Sequence, residues 1–171
     1  MYQIDDLIQY GNTGVCRVSD IKPIDFSDGQ GEQLYYVLQP VNQDCTISTP
    51  VANGKVFMRP IVSKEEAEKL INSIPSIQAD AFYSHALRDM VEHYEASLNT
   101  HSCVDLIELT MSLYAKRKYV TEHKRKFGAV DERFMKRAED LLFGELGAAL
   151  GIEQSDVPRY IAKRVKIIAA Q

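Results

Sequence analysis

The chain has 171 residues, with 20 Lys and Arg against 24 Asp and Glu, three Cys and no Trp. Apolar residues make up 45% and charged residues 26%, which excludes collagen-like, disulfide-stapled and disordered classes. No apolar run approaches the roughly 20 residues needed to span a bilayer, and the chain start lacks the features of a signal peptide. The cysteines lie far apart and form no CxxC pair, which is typical of a reducing compartment. We therefore expect a soluble cytoplasmic protein of one domain or two small ones.

Short apolar runs between turn-forming residues characterise the chain up to about residue 62. β-Branched and aromatic runs bounded by Gly, Asn and Pro indicate hairpin strands. Five such runs predict a small closed or half-closed antiparallel barrel, and they lie at 7–10, 15–18, 34–38, 45–49 and 56–58. Side chains fill a barrel of this size, so its usable surface is a strand edge or a loop.

The hydrophobic period becomes helical after residue 62. Ser63 and Glu66 form a capping box that opens a short helix, and Pro75 marks its end. A second helix is predicted from one apolar stripe at the 3/4 spacing, which comprises Phe82, Tyr83, Ala86, Leu87, Met90, Val91, Tyr94 and Leu98.

Three more helices complete this half of the sequence. One starts near Ser102 and is predicted to stop at Phe127–Gly128, and the next runs through the apolar positions of 134–150 to Gly151. The last starts after Ser155 and accepts Pro158 in its first turn. The predicted fold class is therefore α+β, with a small antiparallel β-barrel module at 1–62 and an all-α bundle of about five helices at 63–171.

Charge is distributed unevenly along the chain. Residues 1–74 carry six basic and ten acidic side chains, whereas 75–171 carry fourteen of each. The window 114–137 has nine basic and three acidic residues, and its basic members are Lys116, Arg117, Lys118, Lys124, Arg125, Lys126, Arg133, Lys136 and Arg137. Such a window is either a positive face for a polyanion or an ordinary solvated helix surface.

Motifs for catalysis are lacking in the sequence. It contains no P-loop, no dinucleotide-binding glycine pattern, no HExxH and no GxSxG. His85, His93 and His101 recur every eight residues, which on one helix turns each about 80° from the last, so they do not converge on a metal. Cys16 and Cys45 are more typical of strand hydrophobes than of nucleophiles. We expect no enzyme, no catalytic residue, no metal, no cofactor and no small-molecule substrate.

Several segments, in the same order along the chain, resemble the CarD family of bacterial RNA polymerase-binding transcription regulators, also called CdnL. In the β module these are Leu7-Ile8-Gln9-Tyr10 with Gly14, Tyr36-Val37-Leu38, Thr46-Ile47-Ser48-Thr49-Pro50-Val51 and the run from Val56 to Ser63. In the helical half they are Tyr83-Ser84, at the place of a Trp-Ser pair, and the run from Ala138 to Leu146. The resemblance spans roughly residues 2–150.

This resemblance implies a Tudor-like module that docks on the RNA polymerase β subunit by adding a strand edge. Thr46, Ile47, Ser48 and Thr49 are the expected polymerase-binding residues. The helical domain is expected to reach promoter DNA at the upstream edge of the bubble and to stabilise the open complex. Its expected DNA-binding residues are Tyr83, Arg88, Lys124, Arg125, Lys126, Arg133, Lys136 and Arg137. The same module occurs in the transcription-repair coupling factor, a helicase, but no Walker motif is present here.

Two positions depart from the family pattern. Tyr83 stands where the family has its Trp wedge, and Ser48 stands where the docking strand often has Arg. On spacing alone, Tyr83 is either a smaller wedge or one more member of a buried helix stripe. The missing Trp and the acidic balance also leave a second hypothesis, an adaptor that grips polymerase without engaging DNA.

Overall fold

The computed structural model describes residues 1–52 and 54–169 and divides the chain into two compact units, Met1–Ile61 and Val62–Gln171. The first unit holds five strands and the second five α-helices, so the predicted α+β fold class is confirmed. No helix in the described residues is both long enough and apolar enough to cross a membrane.

The first unit is one antiparallel sheet with its own apolar core. Its strands are β1 (Leu7–Tyr10), β2 (Gly14–Asp25), β3 (Glu32–Pro40), β4 (Ile47–Pro50) and β5 (Met58–Pro60), in the spatial order β4-β3-β2-β1-β5. The order agrees with a Tudor-like module. Alternate positions such as Tyr36 and Leu38 on β3 are buried, because successive side chains of a strand face opposite sides. They pack with Ile8, Cys16 and Val18.

The second unit is a helical bundle. Its helices are α1 (Lys64–Ser73), α2 (Leu87–Leu98), α3 (Cys103–Glu122), α4 (Ala129–Leu150) and α5 (Val157–Ala169), with short 3-10 helices at Ile74–Ser76 and Gln154–Asp156. The largest fully buried side chains of its core include Tyr94, Phe134 and Leu146. Each comes from the apolar stripe that the sequence predicted for α2 or α4.

The helix boundaries read from local signals are confirmed at three places. The Ser63 hydroxyl accepts from the Glu66 N–H at 3.1 Å, and the Glu66 carboxylate accepts from the Ser63 N–H at 2.8 Å. Gly151 ends α4 in the left-handed conformation, with φ of 72°, which glycine adopts without steric cost. Pro158 lies in the first turn of α5.

Two boundary predictions are wrong. Phe82, Tyr83 and Ala86 lie outside α2, which begins only at Leu87, so the predicted stripe is shorter than one continuous helix. Phe127–Gly128 does not end α3, because that helix stops at Glu122 and Gly128 is instead the N-cap of α4. Hydrogen bonds in the turn before α2 and in the turn after α3 set these boundaries, rather than the apolar spacing.

A buried carboxylate holds the first residue of the helical unit. Glu145 of α4 is fully buried, and its Oε2 accepts the backbone N–H of Val62 at 3.0 Å while the Cys103 thiol lies 3.1 Å from its Oε1. A buried carboxyl group needs such hydrogen-bond partners, and through them Glu145 attaches the entry segment to α4.

Candidate polymerase-docking edge and nucleic-acid interface

Strand β4 is one edge of the sheet. Its register places Thr49 opposite Tyr36 and Ser48 opposite Val37 of β3, and among the described residues it pairs with no other strand. An edge strand presents a row of N–H and C=O groups to which another chain can add.

The phase of the β3–β4 ladder decides which backbone groups point outwards. The Val51 N–H donates to the Leu34 C=O at 2.9 Å. Because bonded pairs alternate along an antiparallel ladder, residues 47 and 49 bond to β3. The N–H and C=O of Ser48 therefore point to the open edge. Among the predicted docking residues, Ser48 is the one inside β4 whose backbone is available to a partner strand.

The four predicted polymerase-binding residues also differ in side-chain exposure. Thr46 and Ser48 are exposed, Ile47 is half-buried, and Thr49 is only 3% exposed. Thr46 lies just before β4, which begins at Ile47. Ile47 and Thr49 thus serve the core of the module, while Thr46 and Ser48 form its accessible edge.

The opposite edge of the sheet, β5, is less open to strand addition. The Ile61 N–H donates to the Leu7 C=O at 3.3 Å, so Met58 and Pro60 occupy the two outward positions of β5 in that ladder. Pro60 has no N–H to offer, and its C=O already accepts from the Arg59 guanidinium at 3.0 Å. Of the two edges, β4 is therefore the better docking strand.

The segment before α2 presents Tyr83 on the surface of the helical unit. Phe82 stacks on His93 with ring centroids 3.8 Å apart and is half-buried, whereas Tyr83 is 53% exposed. Phe82 is thus held against α2, while the neighbouring Tyr83 ring reaches solvent. Tyr83 is therefore not a member of a buried helix stripe.

Ser84 explains why helix α2 starts late. Its hydroxyl oxygen accepts from the Ala86 N–H at 3.2 Å and lies 3.4 Å from the Asp89 carboxylate. A serine hydroxyl that satisfies a nearby backbone N–H offers the chain an alternative to helical bonds. The Tyr83–Ser84 pair thus combines an exposed ring with the turn that holds it in place.

The Tyr83 ring rests against two residues of α3. The Lys116 Nζ lies 5.0 Å from its centroid, and the Tyr119 ring meets it edge-on at 6.1 Å. A cation over an aromatic face is attracted by the ring quadrupole. Tyr83 therefore has a supported orientation despite its exposure.

Lys116 belongs to a buried polar network that the charge pattern did not predict. Lys116 and Asp131 are 6% and 4% exposed, and the Lys116 Nζ donates to Asp131 Oδ1 at 2.9 Å. The Tyr94 hydroxyl donates to the same oxygen at 2.5 Å. Burial raises the pKa of Tyr94 far above its usual range, and the Asp131 carboxylate raises it further. Lys116 is thus a structural cation rather than part of a DNA-facing surface.

The net charge of the window 114–137 stays the same when this buried pair is left out of the count. Lys116 and Asp131 neutralise each other inside the unit, so eight basic and two acidic side chains remain from the nine and three of 114–137. The exposed residues of the window therefore keep its net positive charge although Lys116 is buried.

The basic residues 124–126 lie in the turn between α3 and α4. The Arg125 N–H donates to the Val120 C=O at 2.7 Å, and the Lys124 N–H donates to the Thr121 C=O at 3.1 Å. These two bonds form a Schellman motif, in which Lys124 takes the left-handed position with φ of 56°. Lys124, Arg125 and Lys126 are all exposed. A lysine where glycine is favoured costs about 1 kcal/mol of backbone strain.

Two ring contacts connect Tyr83 to the residue that precedes the basic turn. Tyr119 contacts Tyr83 on one side and, with centroids 4.0 Å apart, His123 on the other, and Lys124 follows directly. From the sequence, Tyr119 is interpreted as a core or boundary residue, and neither Tyr119 nor His123 is a predicted DNA-binding residue. Their i,i+4 spacing near the basic run was the signal that could have identified them.

The remaining predicted DNA-binding residues lie elsewhere on the helical unit. Arg88 is in the first turn of α2, exposed and paired with Glu92 at 2.9 Å. Arg133, Lys136 and Arg137 of α4 line one recess of about 610 Å³ together with Arg117 of α3. That recess also contains Glu132, Glu139 and Asp140, so its charge is mixed. The structure thus groups the α4 cations with one another and groups residues 124–126 with Tyr83.

Within the described ranges, no three His, Cys, Asp or Glu side chains are grouped as ligands for a metal ion. His93 is held by Phe82, and burial lowers its pKa. The β4 edge is suited to binding a partner strand, and the surface around Tyr83 and residues 124–126 is suited to binding a polyanion.

Comparison with known proteins identifies the β module. Residues 2–62 match the family model described as CarD-like/TRCF RID domain, and a search of curated proteins found no match to the chain. The match confirms the resemblance to the CarD family over these residues. The N-terminal unit accordingly has an RNA polymerase-binding, transcription-related role.

Proposed function

Since residues 2–62 belong to the CarD-like/TRCF RID domain family, the RNA polymerase-interacting module of CarD proteins, we propose that the chain is a non-catalytic transcription regulator that bridges polymerase and promoter DNA. In this proposal the β module docks on the β subunit of polymerase and the helical unit contacts DNA at the upstream edge of the bubble. The bridging stabilises the open complex and requires no cofactor.

The observation that carries the DNA half of the proposal is the exposed Tyr83 ring beside a positive turn. Cations supply sequence-tolerant affinity because phosphate contacts release condensed counterions. An amphipathic ring can insert at a distorted base step in the minor groove, where a partly unstacked step accepts it. Tyr83 has both the exposure and the support for such a contact.

Stabilisation of the open complex then follows from a difference in affinity. A protein that binds melted promoter DNA more tightly than closed DNA shifts the equilibrium by that difference and no more. A preference of about 1.4 kcal/mol shifts it about tenfold. Docking through β4 helps, because it raises the effective concentration of the helical unit near the promoter.

The test of the DNA contact uses the strained Lys124. We expect Lys124→Gly to leave the thermal stability unchanged or higher, because glycine relieves the left-handed strain, yet to shorten the lifetime of open complexes relative to wild type. The salt dependence of DNA binding should fall by about one unit of slope, as expected for one lost phosphate contact. Lifetimes are measured from the decay of preformed open complexes after addition of a polyanion competitor.

One control variant and two contrary outcomes make this test specific. Lys118→Ala removes an exposed lysine of the same charge from α3 without weakening the helix, so it separates the Lys124 contact from a general loss of charge. If wild-type protein binds polymerase but leaves open-complex lifetime unchanged, the DNA half of the proposal fails and the chain is an adaptor. If wild type lengthens the lifetime and Lys124→Gly does so equally, Lys124 is not a phosphate contact.

The docking strand is tested by Ser48→Pro. Proline is tolerated at this outward position because no bond to β3 is lost, but it removes the N–H that a partner strand would accept. We expect the affinity for polymerase to fall about tenfold or more, as measured by titration with the labelled protein. Ser48→Ala keeps the N–H and should bind like wild type. Equal binding by Ser48→Pro would place the docking contact away from β4.

A further inference from the structure

The end of α3 carries two exposed aromatic side chains on one face. Tyr119 is 45% exposed and His123 is exposed, and one helical turn separates them. His123 Nδ1 lies 2.8 Å from the Tyr119 C=O, which accepts its N–H and fixes the imidazole plane. With Tyr83 they form a row in which neighbouring ring centroids are 6.1 Å and 4.0 Å apart.

We propose that this aromatic row, Tyr83-Tyr119-His123, is a stacking site for unpaired bases of single-stranded DNA. The inference rests on the proposed function and goes beyond it, because it assigns a binding role to Tyr119 and His123 and selects the melted strand as their ligand. A wedge needs one ring at one base step. In the row, Tyr119 and His123 stack on each other, so bases would stack on the outer faces of that pair and on the face of Tyr83 that Lys116 leaves open.

The ring orientations favour a single strand over a duplex. Tyr83 and Tyr119 are inclined by 71°, and Tyr119 and His123 by 30°. Bases of a duplex are parallel and about 3.4 Å apart along each strand, so they cannot stack on faces inclined to one another. A single strand can turn each base separately to match its ring, and exposed aromatic rings with a flanking cationic path are the usual platform for such strands.

The charges around the row suit a phosphate backbone. Lys124 follows His123 directly, and the Schellman motif turns the chain so that Arg125 and Lys126 continue along the exposed turn. The buried Lys116 contacts the Tyr83 ring, and the charge of Lys116 is neutralised by Asp131. Exposed cations are thus available for phosphates, while rings are available for bases.

The absence of tryptophan from the chain allows a direct test. Tyr119→Trp introduces a single indole reporter into the full-length protein, and a 15-nucleotide deoxythymidine strand serves as the probe. We expect the strand to quench indole emission by stacking, and a blunt duplex of equal length to quench it much less. Phe26→Trp places a matched reporter at an exposed aromatic position of the β module, and its emission should not change.

Affinity measurements separate stacking from other roles. Tyr119→Leu keeps an apolar side chain but removes the ring, and we expect single-strand affinity to fall roughly five- to a hundredfold. Tyr119→Phe keeps the ring and should bind like wild type. Circular dichroism and thermal unfolding should be similar for all three proteins, because Tyr119 is exposed.

The outcomes distinguish this inference from the function on which it rests. If Tyr119→Leu binds the single strand as tightly as wild type, or if the duplex quenches Tyr119→Trp emission equally, the proposal of a stacking site is wrong. The proposal that Tyr83 acts as a wedge is then unaffected. If wild type binds neither the single strand nor promoter DNA, the DNA half of the proposed function fails as well.

Discussion

Tyr83→Ala is expected to remove most of the effect of the protein on open-complex lifetime. The ring is half exposed and contributes its face to DNA, so its loss should shorten the lifetime roughly five- to a hundredfold relative to wild-type protein. The measurement is the dissociation rate of preformed open complexes at saturating protein. Polymerase affinity should stay the same, because the docking edge lies in the other unit.

Two further substitutions at this position sharpen that expectation. Tyr83→Phe keeps a flat ring and should retain most of the effect, whereas Tyr83→Trp restores the larger ring of the family pattern and should lengthen the lifetime beyond wild type. If Tyr83→Ala lengthens the lifetime as wild type does, Tyr83 is not the wedge and its exposure has another explanation.

Asp131→Ala is expected to destabilise the helical unit by about 3–5 kcal/mol. The substitution leaves Lys116 buried without its carboxylate, and breaking a buried pair from one side carries a penalty of that size. The Tyr94 hydroxyl loses its acceptor at the same time. Urea unfolding followed by circular dichroism should show the helical transition at lower denaturant, because the helices dominate that signal.

A double substitution isolates the positioning role of this network. Lys116→Met with Asp131→Leu removes both charges and should recover much of the stability lost in Asp131→Ala. The double variant still lacks the cation over the Tyr83 ring, so it should fold yet stabilise open complexes less well than wild type. Full activity of the folded double variant would show that Lys116 does not position Tyr83, and wild-type stability of Asp131→Ala would contradict the buried-pair account.

Local signals in the sequence predicted most of the fold correctly. The capping box of Ser63 and Glu66, the glycine at 151 and the proline at 158 each act within one or two turns of chain. Apolar alternation and the family resemblance likewise located the five strands and the β4 edge. These features depend on contacts between residues that are close in sequence, or on a whole module known from its relatives.

The candidate nucleic-acid surface was predicted less completely. Residues 124–126 were singled out by charge, and Tyr83 by resemblance, but periodicity alone placed Tyr83 equally well in a buried stripe. The hydrogen bond from the Ala86 N–H to the Ser84 hydroxyl excludes that placement, because α2 begins only at Leu87 and leaves Tyr83 outside the helix. Charge counting also included Lys116, which the structure removes from the surface.

The sequence by itself therefore determined the α+β class, the approximate positions of the strands and helices and the positive character of the 114–137 window, since propensity, capping and net charge are local or additive properties. Only the tertiary structure decided which of those side chains face solvent. Lys116 is buried because Asp131, 15 positions away, and Tyr94, 22 positions away, meet it in the core. Tyr83, Tyr119 and His123 form one row because α3 packs beside the segment that precedes α2. Burial depends on such distant partners, and no local pattern encodes them.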